Sequence, residues 1–375
     1  MGGLDKRSRE EMWEADAAKV QLPAEERFPG YCVYYLDEAA RQNANFEGRR
    51  FTWQKVLELA TAAVGPAGDS AWSVANDRSK DVVVLAGRET GAEVLFLVER
   101  THKTVQQIKE QSLKLHKHAQ SVRKTVSKQG PDQRGHERGS VDPTYDTDFA
   151  CLLDGGLRKR VGGSCVRGGE EQPALAPYVI WKEFDGDSAR EDEHYDDWVG
   201  VFETVQQSEL ALKKLALGVV NPLHDLKEKR YLLELYPGSF CSRVTVGTDV
   251  TLIQHEDDAD HGPTFATVCD GHTGVAAGYV LAQLKLGVQL FDGDCFYYQG
   301  AKIMHSAGTP LDMPAKGNGP VRAYVVAPTA AVLVKEAALL PIQDIKTWKM
   351  TRAGQKQGRR VRRKRQKLKA SEDSE

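Results

Sequence analysis

Three residues in the last third of the chain carry the strongest chemical signal. His255 and Asp257 are separated by a single residue, and His305 follows in the run GDCFYYQGAKIMHSAGTP. Two imidazoles and one carboxylate in this order form a facial metal-ligand set, which suits Fe(II). Three ligands fill one face of an octahedron and leave the opposite face for a cosubstrate and O2. Residues i and i+2 of a strand face the same side. His255 and Asp257 can therefore ligate one ion, while Glu256 points elsewhere. His305 comes after a Gly293-Asp294 turn and the strand-like run Cys295–Tyr298. Arg322 lies on a further strand-like run and offers a permanently charged, bidentate partner for a cosubstrate carboxylate. Its plainer reading is an ordinary ion pair within a strand.

Positioning such ligands needs a β-rich frame. From Ser239 to Pro328 the pattern is one of short strands: CSRVTVGTDVTLIQH, TFATVCD, GYVLAQLKL, GVQLFDGDCFYYQG, AKIMHSAG and VRAYVVAP. Regularly spaced short strands separated by Gly/Asp turns predict a sandwich or barrel-like unit. The expected fold class is α+β. A double-stranded β-helix (jelly-roll, cupin-like) core at about 237–330 would lie within a domain at 151–345. A charged lead (1–25) and an N-terminal α/β region (26–150) would precede it, and a basic tail (346–375) would follow. Within the N-terminal region, residues 53–65 have helical spacing, and 81–100 read as two strands around a glycine-containing turn. Residues 101–128 read as a polar basic helix and 129–143 as an exposed linker. The stretch 155–173 is turn-rich, and 197–236 holds two helical patterns broken near Asn221-Pro222.

The bulk composition narrows the class. A chain of 375 residues with 41% hydrophobic and 28% charged content is ordinary for a globular protein. No apolar run reaches the ~20 residues that span a bilayer, so no membrane partner is expected. The six cysteines are scattered without a CxxC pair, which suits a reducing compartment. The near-neutral total hides an asymmetry, with 12 Lys/Arg and no acid between Lys346 and Lys369. Arg359, Arg360, Arg362, Arg363, Lys364 and Arg365 form its densest part. Such a cluster fits nuclear import and salt-sensitive attraction to DNA phosphates. It carries no base specificity, and a solvated tail is compatible with both roles.

The run HEDDADHGPTFATVCDG, then GYVLAQLKLGVQLFDGDCFYYQGAKIMHSAGTPL, then VRAYVV resembles the Fe(II)/2-oxoglutarate-dependent dioxygenase superfamily. Within it, the run is most similar to the TET/JBP-like group of nucleic-acid methyl-pyrimidine oxidases, which includes algal and fungal members. The likeness rests on His255-x-Asp257, Gly278 opening an aliphatic run, Gly287, the Gly293-Asp294 turn, His305 and Arg322, and covers about 243–328. It departs from the group at Ala276-Ala277, where a second glycine is usual. The resemblance implies Fe(II) at His255, Asp257 and His305, 2-oxoglutarate at Arg322, and O2-coupled hydroxylation of a 5-methylcytosine-like methyl group in DNA. Asp260 resembles a position in algal TET-like enzymes that use ascorbate, so ascorbate is the alternative cosubstrate. Asp260 could equally cap the loop after the ligand strand. A prolyl- or lysyl-type protein hydroxylase and a catalytically silent DNA-binding module are the competing functions. His261 and His272 lack the register of ligands and read as loop residues. Phe296, Tyr297 and Tyr298 read as core or pocket wall, and Cys269 and Cys295 as small buried hydrophobes.

Overall fold

Strands from both halves of the sequence build the two sheets beside which His255, Asp257 and His305 lie. The computed structural model describes residues 21–61, 72–100, 110, 151–159, 175–178, 204–205, 208, 241, 243–248, 252–258, 260–270, 275–307 and 322–328. Among them the architecture is mixed α+β, with strands predominating in two sheets. The early strands are β1 (Cys32–Tyr35), β2 (Ser73–Ala75), β3 (Val82–Leu85), β4 (Val94–Glu99), β5 (Cys151–Lys159) and β6 (Leu175–Tyr178). The later ones are β7 (Arg243–Thr248), β8 (Thr264–Asp270), β9 (Val275–Leu281), β10 (Leu286–Phe291), β11 (Cys295–Tyr298), β12 (Ser306–Ala307) and β13 (Arg322–Ala327). The larger sheet runs β1-β3-β4-β11-β8-β13-β7-β5-β6, and the smaller runs β12-β9-β10-β2.

Residues 81–100 form two strands, as their β-branched runs predict. Val82 pairs with Val98 antiparallel, and the turn between the strands uses Gly91 at φ 78°. Both strands are buried along their length, which suits a continuous apolar run covered on both faces. On one face, Phe96, Phe296, Tyr298 and Val268 meet Tyr279, Leu281, Val288 and Leu290 of the smaller sheet. Phe96 stacks on Tyr279 with ring centroids 5.3 Å apart. On the other face, buried helical residues Thr204 and Ser208 approach β8, where the Ser208 hydroxyl bonds Thr267. These residues back the face of β8 turned away from the smaller sheet.

Two local readings change. The turn-rich stretch begins later than expected, because β5 runs through Gly155-Gly156 to Lys159 with ladder partners in β6 and β7. Ladder pairing, to β7 at Gly155 and to both neighbours at Gly156, overrides the weak strand propensity of glycine. AKIMHSAG is mostly turn, since Lys302 and Ile303 both donate to Gln299 O, and only Ser306–Ala307 is strand. The 101–128 helix apart from Glu110, the 129–143 linker, most of 197–236, the lead before residue 21, His272 and the basic tail lie outside the described residues.

The helix Trp53–Thr61 starts where Thr52 Oγ1 accepts from the Lys55 amide (3.1 Å), an N-cap. It buries Trp53 and Val56 against β9 and β10 at the two glycines of the resemblance. A Cβ at Gly278 would overlap the Trp53 indole, and one at Gly287 would lie 2.6 Å from Val56 Cγ1. Gly278→Ala is therefore expected to destabilise the fold by at least about 1–3 kcal/mol, as overpacked cores do, measured by urea unfolding. A Gly278→Ala protein as stable as the parent would show that the helix does not seat there.

Arg100, just past β4, ties the two sheets together. Its guanidinium donates to Ala75 O on β2 (3.3 Å), to Gln289 O on β10, and to Asp294 Oδ2 (2.7 Å). Asp294 Oδ2 also accepts from the Phe291 amide at 2.9 Å, closing the Gly-Asp turn between β10 and β11.

Candidate metal centre

The segment 252–257 is zipped to the segment 300–307 by backbone bonds. Leu252 N donates to Ala307 O (3.0 Å), His255 and His305 exchange bonds of 3.1 and 3.0 Å, and Asp257 N donates to Gly300 O (2.9 Å). On its other side, Gln254 exchanges backbone bonds with Gly48 and Arg49. His255 and His305 thus form an isolated antiparallel bridge and not part of a regular strand. Opposed residues in such a pair bring their side chains together, and the two imidazole centroids are 4.5 Å apart. Asp257 lies just beyond the bridge, so strand alternation alone does not place it; the bond to Gly300 does.

Side chains refine these positions. Gln254, fully buried, donates from Nε2 to Val280 O (3.0 Å) and to Ser306 Oγ (2.5 Å). Gln283 Oε1 accepts from the Met304 amide (3.0 Å). One residue from each ligand histidine is therefore pinned to the smaller sheet or to its turn. The His305 ring lies against Tyr298 (4.6 Å) and stacks on Tyr279 (5.6 Å, 13°), a phenol from each sheet. Tyr298 is thus pocket wall, while Tyr297 points to the other face and packs on Phe265.

The electronic state of the ligands follows from their second partners. His255 Nδ1 donates to Ile253 O (2.7 Å) and His305 Nδ1 donates to Ile303 O (3.0 Å). A carbonyl can only accept, so each neutral ring carries its hydrogen on Nδ1 and presents the Nε2 lone pair. His255 Nε2 lies 3.6 Å from Asp257 Oδ1, and His305 Nε2 lies 3.4 Å from Oδ2. Burial alone would raise the Asp257 carboxyl, but the N–H groups and positive charge of the His255 and His305 rings, when protonated, hold it well below the usual carboxylate range. When both rings are neutral, a metal cation can take the place of those protons between the carboxylate and the two Nε2 lone pairs. One ligand atom from each of the three residues falls within a 4.8 Å group, so they could hold a metal ion. Side-chain exposure rises from 2% at His305 through 16% at His255 to 30% at Asp257, so access is from the Asp257 side.

The remaining expected site residues are distributed as follows. Asp260 N donates to Asp257 O (2.8 Å) and Asp260 Oδ2 accepts from Thr264 Oγ1 (3.3 Å), which closes the turn into β8. Arg322 opens β13 opposite Asp270 in the register. His261 is partly buried and outside the ligand group, with its pKa lowered by burial and by Lys302. Arg359 through Arg365 lie outside the described residues. Gly300, Gln254, Gln283 and Tyr279 were not foreseen as site residues. The glycine of YYQGAK reads only as a turn signal, and buried glutamines have no sequence signature of their own.

No family model and no curated protein matches the chain. Among solved structures it is similar to NgTET1 in complex with 5mC DNA, at 9% identity and a TM-score of 0.41, over 88% of this chain and 92% of that one. It is also similar to a bsmA homolog from Methylobium petroleophilum PM1, at 13% identity and a TM-score of 0.22, over 51% of this chain and 77% of the other. Neither score establishes a shared fold. The functional reading rests on the ligand geometry.

Proposed function

We propose that the chain is an Fe(II)-dependent dioxygenase built on a double-stranded β-helix. Its substrate is the methyl group of a modified, 5-methylcytosine-like pyrimidine in DNA, and its cosubstrate is 2-oxoglutarate, with ascorbate as the alternative. The observation that carries the enzymatic part is the convergence of two Nδ1-protonated imidazoles and one ionised carboxylate on a single point. That donor set fits Fe(II) and leaves positions open for exchange. Iron bound here, with O2 and a reducing cosubstrate, supplies the oxidising power to insert oxygen into a C–H bond. The DNA part is carried by the sequence resemblance and by the basic tail.

The protein's own groups have separable tasks. Ile253 and Ile303 carbonyls fix the imidazole tautomers and orientation, as outer partners of metal-bound histidines do. Tyr279 and Tyr298 cover His305 and keep water from that side. Arg322 is assigned the cosubstrate carboxylate. A charged hydrogen bond there is worth about 1.5–3 kcal/mol, so Arg322→Ala should weaken cosubstrate binding roughly 10–100-fold while leaving metal affinity intact. Calorimetry on the metal-loaded protein checks this, and unchanged cosubstrate affinity removes Arg322 from the site. A target base must leave the stack to reach the ligands. The tail would hold the duplex through its phosphates, in the nucleus. Removing residues 346–375 should weaken DNA binding most at low salt and flatten its salt dependence, read by fluorescence anisotropy.

The deciding experiment measures Fe(II) and DNA binding by the full chain, then incubates it with Fe(II), O2 and either 2-oxoglutarate or ascorbate. The substrate is methylcytosine DNA or proline- and lysine-bearing peptides, and nucleosides and peptides are read by mass spectrometry. Oxidised methylcytosine supports the proposal. Hydroxylated peptide without oxidised DNA would reassign the protein as a protein hydroxylase. Salt-sensitive DNA binding without iron binding would make it a silent binding module.

A further inference from the structure

We propose that Gly300 is a positioning residue of the metal centre, its missing side chain forming the seat of the Asp257 carboxylate. The inference rests on the metal-site reading above and deepens it. Gly300 is not among the glycines of positive φ, so its backbone conformation is open to other residues. Space is what it provides. A Cβ at this position would lie 2.6 Å from Asp257 Oδ2, 2.8 Å from its Cβ and 3.1 Å from its Cγ. The conflict runs from the root of the side chain to its tip. Rotating the carboxylate cannot relieve it, because the Asp257 Cβ is set by the backbone.

Neither partner has room to withdraw. Asp257 N is bonded to Gly300 O (2.9 Å), so retreat of Asp257 breaks that bond. The Gly300 turn is anchored from the opposite side by Gln299, which is 2% exposed. Gln299 N donates to Leu95 O (2.9 Å), and its Nε2 donates to Val94 O (2.8 Å) and Glu93 Oε1 (2.7 Å). Lys302 Nζ adds an ion pair with Glu93 Oε1 (2.5 Å). Held by the start of β4, the turn stays, and an added methyl displaces the carboxylate. The oxygen displaced first is Oδ2, the one facing His305 Nε2.

The test is a cycle of four full-length proteins, the parent, Gly300→Ala, Asp257→Gly and the double variant, with His255→Ala as reference. Each is titrated anaerobically with Co(II), followed by its d–d absorption, and unfolded in urea without metal. Outer positioning groups alter metal affinity by about 10–100-fold, and Gly300→Ala is expected to weaken Co(II) binding at least tenfold and shift its spectrum toward that of Asp257→Gly. It should also lower metal-free stability when Asp257 is present and cost little in the Asp257→Gly background, where the opposing side chain is gone. If Gly300→Ala alone does not fold, recovery of folding in the double variant supports the same steric account, and failure of both to fold overturns it. Parent-like Co(II) affinity in Gly300→Ala, with affinity lost in His255→Ala, overturns the proposal and spares the metal site. So does an equal stability cost in both backgrounds. Parent-like affinity in His255→Ala overturns the metal site itself, and the positioning role with it.

Discussion

Replacing His305 with glutamine is expected to abolish stoichiometric Fe(II) binding and reduce turnover to background, with the fold retained. His305 supplies a lone pair from a ring whose tautomer, tilt and depth are all fixed. Its Nδ1–H bonds Ile303 O, its backbone is bridged to His255, and two phenol rings pack its faces. At 2% exposure no water can take its place without moving Tyr279 or Tyr298. Alanine would also open a cavity, so glutamine separates ligation from packing. Glutamine fills similar volume and bonds the same carbonyl, but its amide is a poor ligand for this ion. Anaerobic metal analysis with far-UV circular dichroism checks both halves. Parent-like iron content in His305→Gln would remove this histidine from the ligand set. His255→Ala should behave alike with less structural cost, because His255 is more exposed.

The second large effect lies away from the ligands. Arg100→Met is expected to cost about 3–5 kcal/mol at neutral pH, because it leaves the Asp294 carboxylate buried without its countercharge. Burial already pushes the Asp294 carboxyl up to about 6, against the opposing pull of Arg100. One of its oxygens finds no hydrogen bond among the described residues. The native state therefore holds this proton more tightly than the unfolded chain, whose carboxyl titrates near 3.8. The favourable contribution is complete below about pH 4 and declines as pH rises through about 6. Asp294→Asn should flatten that part of the stability profile. In Arg100→Met the loss should shrink on acidification, as Asp294 takes up its proton. Urea unfolding at several pH values between 4 and 8 reads these effects. A loss below about 1 kcal/mol at neutral pH would place the pair with ordinary surface bridges.

That His255, Asp257 and His305 come together was readable from the chain because their chemistry is local in type and spacing, and short apolar runs located most of the strands near them. Trp53 and the two glycines show the boundary of that reading. Gly278 and Gly287 were visible as features, but their reason lies on a helix more than two hundred residues earlier. Arg100 was equally hidden. A single arginine ending VLFLVER carries no mark of the Gly-Asp turn it meets across 194 positions. Asp257 was identified through strand alternation, yet it sits past the bridge and takes its place from Gly300. Patterns with a period announce themselves. Contacts between distant segments do not.

Those distant contacts also set a timetable for biosynthesis. β4 pairs with β11 through Glu99 and Cys295, and Glu93 meets Gln299 and Lys302, partners some two hundred residues downstream. At about 5–20 residues per second on the ribosome, the apolar strands β3 and β4 wait roughly 10–40 s before that neighbour emerges. During the wait, the edge of β4 that later receives β11 is an open template for other chains. On the proposed function, metal loading would come at the end of this sequence of events, since the turn beside Asp257 is anchored to the start of β4. Cells that start more chains than a chaperone can shield at the β3–β4 hairpin should accumulate aggregate, and less frequent initiation at an unchanged elongation rate should raise the yield of folded chains.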